Sequence, residues 1–167
     1  MDSEIRPAEY VDFTAVREIF REVVKDGTGY VFPADASDSE IRDFWFETGS
    51  RQFVAEDRGW ILGIYKLFPA FPGHGSHLAS AYMMVAPGQQ RRGIGTNLAE
   101  HCLREAKKNG FRAMVFPYII STNDASVMLW KKMGFSIAGT IPGGFNHSTL
   151  GYVDTFIMYR TLEDISI

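Results

Sequence analysis

The sequence predicts a mixed α/β fold, one sheet of short strands with helices on its faces. Two observations predict it. Strand-like runs bounded by Gly, Pro and Asn are interspersed with segments of helical spacing. The chain of 167 residues shows no internal repeat, low-complexity tract or linker, so residues 1–167 read as a single domain. A hydrophobic fraction of 46% is ample for its core.

Each element has a local cause. Ser3 to Arg6 reads as a short first strand. Val16, Ile19, Phe20, Val23 and Val24 recur at helical spacing and predict an amphipathic helix over 10–25, ended by Asp26-Gly27-Thr28-Gly29. Ser37-Asp38-Ser39-Glu40 has the pattern of a capping box and predicts a second helix that buries Ile41, Phe44 and Trp45. Gln52 to Glu56 and Trp60 to Phe68 read as a hairpin turning at Asp57-Arg58-Gly59. After a loop from Pro69 to Gly75, His77 to Val85 reads as a strand ended by Pro87-Gly88. Ile94, Leu98, Leu103 and Ala106 place a helix near 93–109, closed by Asn109-Gly110. Ala113 to Phe116 is a short strand, 123–133 a helix stopped by Gly134, and Phe135 to Ile141 and Tyr152 to Tyr159 the last two strands.

Composition removes several functional classes. The formal charge is −3 and no run of Lys or Arg suggests nucleic acid. A single cysteine, Cys102, excludes an internal disulfide and a multi-cysteine metal site, and the four histidines show no ligand spacing, so no metal is expected. No apolar run approaches the roughly 20 residues of a membrane span, and no signal-peptide pattern opens the chain. A cytoplasmic domain without a membrane partner is expected.

The unit at 77–109 carries the chemistry. Gly93 and Gly95 permit close approach of a ligand to the backbone and open a helix whose first N–H groups lack internal partners. Such an end binds phosphate. The helix dipole contributes only about 0.3–1 kcal/mol, so several N–H donors, aided by Arg91 or Arg92, carry most of that binding. A dinucleotide fingerprint needs a third glycine where Leu98 stands, and no Gly-Lys-Ser/Thr of a nucleotide P-loop occurs. A glycine-rich helix start without a ligand is the bland alternative for the hexad taken alone.

Gln90-Arg91-Arg92-Gly93-Ile94-Gly95 resembles the acetyl-coenzyme A signature of the GNAT N-acetyltransferases, Gln/Arg-x-x-Gly-x-Gly/Ala. The strand Met83-Met84-Val85 before it and the helix after it follow the family order. Asn123-Asp124-Ala125-Ser126 resembles the family's Asn-x-x-Ala landmark, and Lys132-Met133-Gly134-Phe135 its Gly-Phe landmark. The resemblance covers nearly the whole chain, most specifically 80–160. Phe116 through Gly139 is similar to N-acetyltransferases of proline analogues such as azetidine-2-carboxylate. Gly144-Phe145-Asn146-His147, with Val153-Asp154, is similar to phosphinothricin N-acetyltransferases.

The resemblance implies a central, mostly antiparallel sheet splayed between its fourth and fifth strands. It implies acetyl-coenzyme A as co-substrate and direct acetyl transfer to the amine of a small amino-acid-like acceptor. Met83, Met84 and Val85 then present backbone groups to the pantetheine arm, and Gln90, Arg91, Arg92, Gly93, Ile94, Gly95 and Thr96 surround the pyrophosphate. Asn123 bonds the cofactor near its thioester, and Ser126 touches the same arm. A homodimer is expected by resemblance only.

Two positions depart from the family. Ser80 stands where many relatives place a general-base glutamate, and Trp130 where many place a tyrosine acid. The proline-analogue group shares the tryptophan. Catalysis by positioning and thioester polarisation follows, with water carrying protons, Ser80 ordering one and Asn123 near the reacting group.

Tyr30, Phe32, Tyr82 and Tyr118 are either acceptor-pocket walls or core rings. His147 and Asp154 either bind the acceptor or are a surface histidine and a turn aspartate. Glu56 is a remote base or a solvated strand end, and Cys102 a helix-packing residue. Acetylation of a protein or polyamine, and a non-catalytic acyl-coenzyme A sensor, remain as alternative functions.

Overall fold

The structure, a computed structural model, describes residues 3–167. In chain order the elements are β1 (Glu4–Pro7), α1 (Phe13–Val24), α2 (Asp38–Trp45), β2 (Arg51–Asp57), β3 (Trp60–Pro69), β4 (Leu78–Val85), α3 (Ile94–Lys108), β5 (Ala113–Ile120), α4 (Asp124–Lys132), β6 (Ser136–His147) and β7 (Gly151–Thr161). They form one seven-stranded sheet in the order β1-β2-β3-β4-β5-β7-β6. Every neighbouring pair is antiparallel except β4–β5, which is parallel. This is the mixed sheet that the sequence predicts.

Local chemistry explains the helix starts. The Ser37 hydroxyl accepts from the Glu40 N–H, and the Glu40 carboxylate accepts from the Ser37 N–H, so the capping box forms as read. The first helix begins later than residue 10. Residues Tyr10–Asp12 are a 3-10 turn, closed by Glu9 N–H donating to the Asp12 carboxylate at 2.8 Å. Arg6 lies against that carboxylate at 2.8 Å and holds Asp12 below the usual carboxylate range.

Helices on each face give the sheet two cores. Trp45, Val16, Phe20 and Ile41 pack with Ile64 and Met84 under α1 and α2. Leu98, Cys102, Met114, Trp130 and Met158 pack under α3 and α4. Cys102 is buried in the second core, where burial pushes its thiol pKa up, which suits a packing residue. Gly63 marks the closest approach of β3 to its surroundings. A Cβ there would lie 2.9 Å from both the Met84 carbonyl oxygen and Leu98 Cδ1. Gly63→Ala is therefore expected to cost about 1–3 kcal/mol through overpacking. Thermal unfolding checks this, and an unchanged midpoint would contradict the packing.

The last hairpin is longer than the sequence reading. The sequence reading ends the strand at Ile141, yet β6 runs on through Pro142, Gly143 and Gly144 to His147. Ile141 pairs with Thr155 and Phe145 with Val153, so these three residues bulge out opposite Asp154 alone. The Asp154 carboxylate accepts from the Gly143 N–H at 3.0 Å and fixes the bulge.

Candidate active site

β4 and β5 pair only at Leu78–Ala113 and Ala79–Met114. Both strands continue past that register without pairing, so the sheet opens into a V. β5 also carries a register shift between Phe116 and Ile119, which places Pro117 and Tyr118 out of line with β7. The V leads into a cleft of about 1360 Å³. That exceeds the roughly 300–1,000 Å³ of ordinary small-molecule sites and suits a long ligand with a second molecule beside it.

The backbone of β4 supplies one wall. In an antiparallel ladder, alternate residues direct both N–H and C=O at the partner strand. Ala86 N–H bonds to Leu62 and Ala70 N–H to the Leu78 carbonyl, so even-numbered residues of β4 face β3. Odd-numbered residues therefore face the opening. Met83 and Val85 offer backbone groups there, as expected. Met84 does not: its backbone pairs with Ile64 and its side chain is buried in the α1–α2 core. Sequence proximity could not separate these three, because only ladder parity does.

The base of the V is the start of α3. Gly93 precedes the helix with φ of 80° and lends no side-chain cap. The first internal bond runs from Asn97 N–H to the Gly93 carbonyl, so the N–H groups of Ile94, Gly95 and Thr96 have no partner within the helix. Arg91 also adopts a left-handed φ of 64°. The Gln90 side chain accepts from Gly88 N–H at 2.8 Å and braces the preceding turn. Arg91, Gly93, Gly95 and Thr96 line the cleft. Ile94 and Arg92 are not among the lining residues. Ile94 buries its side chain in the α3 core and contributes only its N–H. The Arg92 guanidinium bonds to Gln89 and is not among the cleft-lining side chains.

Asn123 and Ser126 line the opposite wall. Asn123 is the N-cap of α4, its side-chain oxygen accepting from Ser126 N–H at 3.3 Å. Its amide nitrogen donates to the Gly29 carbonyl at 3.4 Å, across the mouth.

The other end of the cleft is aromatic. Phe32, Phe68 and Tyr82 line it, with Phe68 and Tyr82 stacked at 5.5 Å. Ser80 lines the same end, 5% exposed, and is in register with Phe68. Lys66, missed by sequence reading, underlies this wall. Its ammonium lies 3.8 Å over the Phe44 ring and donates to the Phe44 carbonyl at 2.7 Å, while burial lowers its pKa. A lone lysine inside a strand carries no sequence signal of such burial.

Tyr30, Tyr118 and His147 also line the cleft. The Tyr118 hydroxyl bonds to the Gly144 carbonyl and joins the two bulges. His147 Nδ1 accepts from the N–H groups of Thr149 and Leu150 at 3.2 Å, so its neutral ring carries the proton on Nε2. Asp154, open between two readings in the sequence, lies outside the cleft lining, and its carboxylate holds the bulge. Glu56 is likewise remote, paired with Arg6 at 2.6 Å. Trp130 lines the cleft but is 4% exposed and packed between Phe116 and Phe135. Among the described residues, no group of His, Cys, Asp and Glu could hold a metal, and no helix is long and apolar enough to cross a membrane.

A splayed parallel pair with a donor-rich helix start at its base is the arrangement that the resemblance to the acetyl-coenzyme A-dependent acetyltransferases implies. The acetyltransferase (GNAT) family model matches residues 15–135, and the chain belongs to that family. It is 36% identical over 108 residues to the N-acetyltransferase aca1 of Schizosaccharomyces pombe, spanning 62% of this chain and about half, 52%, of that protein. It is 31% identical over 152 residues to an L-methionine sulfoximine/L-methionine sulfone acetyltransferase of Pseudomonas aeruginosa, 85% of each chain. Phosphinothricin N-acetyltransferase is also among its relatives. The solved GCN5-related N-acetyltransferase of Kribbella flavida superposes with a TM-score of 0.91 at 38% identity, over 95% of this chain and 96% of that one.

Proposed function

We propose that this chain is an acetyl-coenzyme A-dependent N-acetyltransferase that moves the acetyl group directly to the amine of a small amino-acid-like acceptor. The observation that carries the reading is the V between β4 and β5, with backbone that pairs with no strand on one arm and free helix N–H groups at its base. These features fit the cofactor. The N–H groups of Ile94, Gly95 and Thr96 suit its pyrophosphate, and Gly93 leaves the approach open. Met83 and Val85 suit its extended, amide-bearing arm, and Asn123 and Ser126 face that arm from α4. Bound acetyl-coenzyme A supplies an acyl group on a thiol leaving group.

The chain's own residues then hold and orient. Phe32, Tyr82 and Tyr118 wall the acceptor end, and His147 closes it from the end of β6. Ser80 orders water at the aromatic end, while Glu22, Asp26 and Asp124 line the cleft as sinks for the amine proton. The names of the amino-acid-analogue relatives support the acceptor class. The family resemblance supports a homodimer, and the acceptor is a small-molecule partner. Thiol release is expected when the protein is mixed with acetyl-coenzyme A and amino-acid-like amines. Cofactor binding without release for any amine in a broad panel would leave a sensor instead. Release only with polyamines or peptides would replace the acceptor class.

A further inference from the structure

Residues 27–30 lie across the mouth of the cleft and are tied to three of its walls. The Tyr30 hydroxyl donates to the Met83 carbonyl of β4 at 3.1 Å. Asn123 Nδ2, at the start of α4, donates to the Gly29 carbonyl at 3.4 Å. Ser148 N–H, in the β6–β7 turn, donates to the Gly27 carbonyl at 3.2 Å. The strap fits closely at these points: a Cβ on Gly27 would lie 3.3 Å from Ser148, and one on Gly29 would lie 3.6 Å from Asn123. Tyr30 is therefore set directly from β4 and, through its strap, from the start of α4 and the β6–β7 turn.

A phenol has one proton and two acceptor lone pairs. With its proton on Met83, the Tyr30 oxygen offers a ligand its lone pairs alone. Met83 faces the opening by ladder parity, so this oxygen sits beside the track of an arm anchored at α3, farther along than Val85. The places of the usual base and acid hold Ser80 and Trp130, so neither supplies a carboxylate or a phenol beside the amine.

We propose that Tyr30 is a positioning residue whose oxygen accepts an N–H of the acceptor amine and aims the nitrogen lone pair at the thioester carbon beside Met83. This rests on the acetyl-transfer reading above. As the C–N bond forms and the C–S bond breaks, the electron pair passes to sulfur, and a proton lost by nitrogen reaches the thiolate through water. Tyr30 keeps its own proton throughout. Burial pushes its phenol up to about 12, which keeps it neutral at working pH. The device serves primary and secondary amines, including cyclic ones, because each retains an N–H while its lone pair attacks.

Tyr30→Phe deletes the oxygen and keeps the ring. It is expected to lower kcat/KM for the acceptor about tenfold, the scale of one hydrogen bond to a partly charged group. Acetyl-coenzyme A affinity and the limbs of the pH–rate profile are expected to stay where they are. A loss below twofold, an equal loss of cofactor affinity, or a shifted limb would overturn the proposal. Should the variant not fold, 3-fluorotyrosine at position 30 weakens the acceptor oxygen with the ring in place. It is expected to give a smaller loss in the same parameter, and an unchanged or raised value overturns the proposal. Absence of thiol release by the unaltered protein with every amine sinks both readings, whereas release that Tyr30→Phe leaves intact sinks only this one.

Discussion

Gly93→Val is expected to weaken acetyl-coenzyme A binding roughly a hundredfold. The cause is backbone conformation and not crowding, since a Cβ at Gly93 meets nothing within 4 Å. The residue holds φ at 80°, a genuine outlier for a β-branched side chain. Keeping that φ costs about 1–2 kcal/mol. Relaxing it rotates the loop that aims the N–H groups of Ile94, Gly95 and Thr96. Losing two charge-assisted bonds of that kind costs about 3 kcal/mol or more, hence the hundredfold. Gly95→Ala is the control. Gly95 lies inside α3 and its Cβ would make ordinary contacts with Val85 and Leu129 at 3.7 and 3.8 Å. Calorimetric titration of both variants separates the two glycines. Binding by Gly93→Val within threefold of the unaltered protein would remove the helix start from the cofactor site.

Trp130→Ala is expected to destabilise the fold by about 3–5 kcal/mol, the range for deleting a buried aromatic ring. The ring lies 4.3 Å from that of Phe116 and 5.3 Å from that of Phe135. Its loss opens a void under α4, the helix that begins at Asn123, so cofactor affinity is expected to fall with stability. Trp130→Phe retains an aromatic filler and is expected to keep the shape of the pH–rate profile. Denaturant unfolding with a pH–rate series on both variants checks this. A proton-donor role for Trp130 predicts the reverse, namely little change in stability and a lost limb in the profile.

The helix boundaries around the cleft were legible in the chain. Gly93, Gly95, Asn123 and Gly134-Phe135 are local punctuation marks, and each stands where a helix starts or stops. The capping box at Ser37 is similarly local and forms as written. The acceptor side was less legible. Asp154 stayed open between an acceptor-binding residue and a turn aspartate, because sequence shows its neighbours Val153 and Thr155 but not the two extra residues of β6 opposite it. Met84 read like Met83 and Val85 because strand residues differ in backbone direction only once the register with β3 is known.

The sequence by itself determined the elements, their order and the phosphate-ready start of α3, because capping, helical spacing and glycine conformation act within a few residues. Only the tertiary structure decided which side chains meet across the cleft. The strap at 27–30 touches β4, Asn123 and Ser148, positions distant along the chain. Lys66 beneath the aromatic wall and Trp130 between two phenylalanines are likewise non-local contacts. Burial and hydrogen-bond partners of this kind are set by how the strands register and where the sheet splays, and no window of sequence contains them.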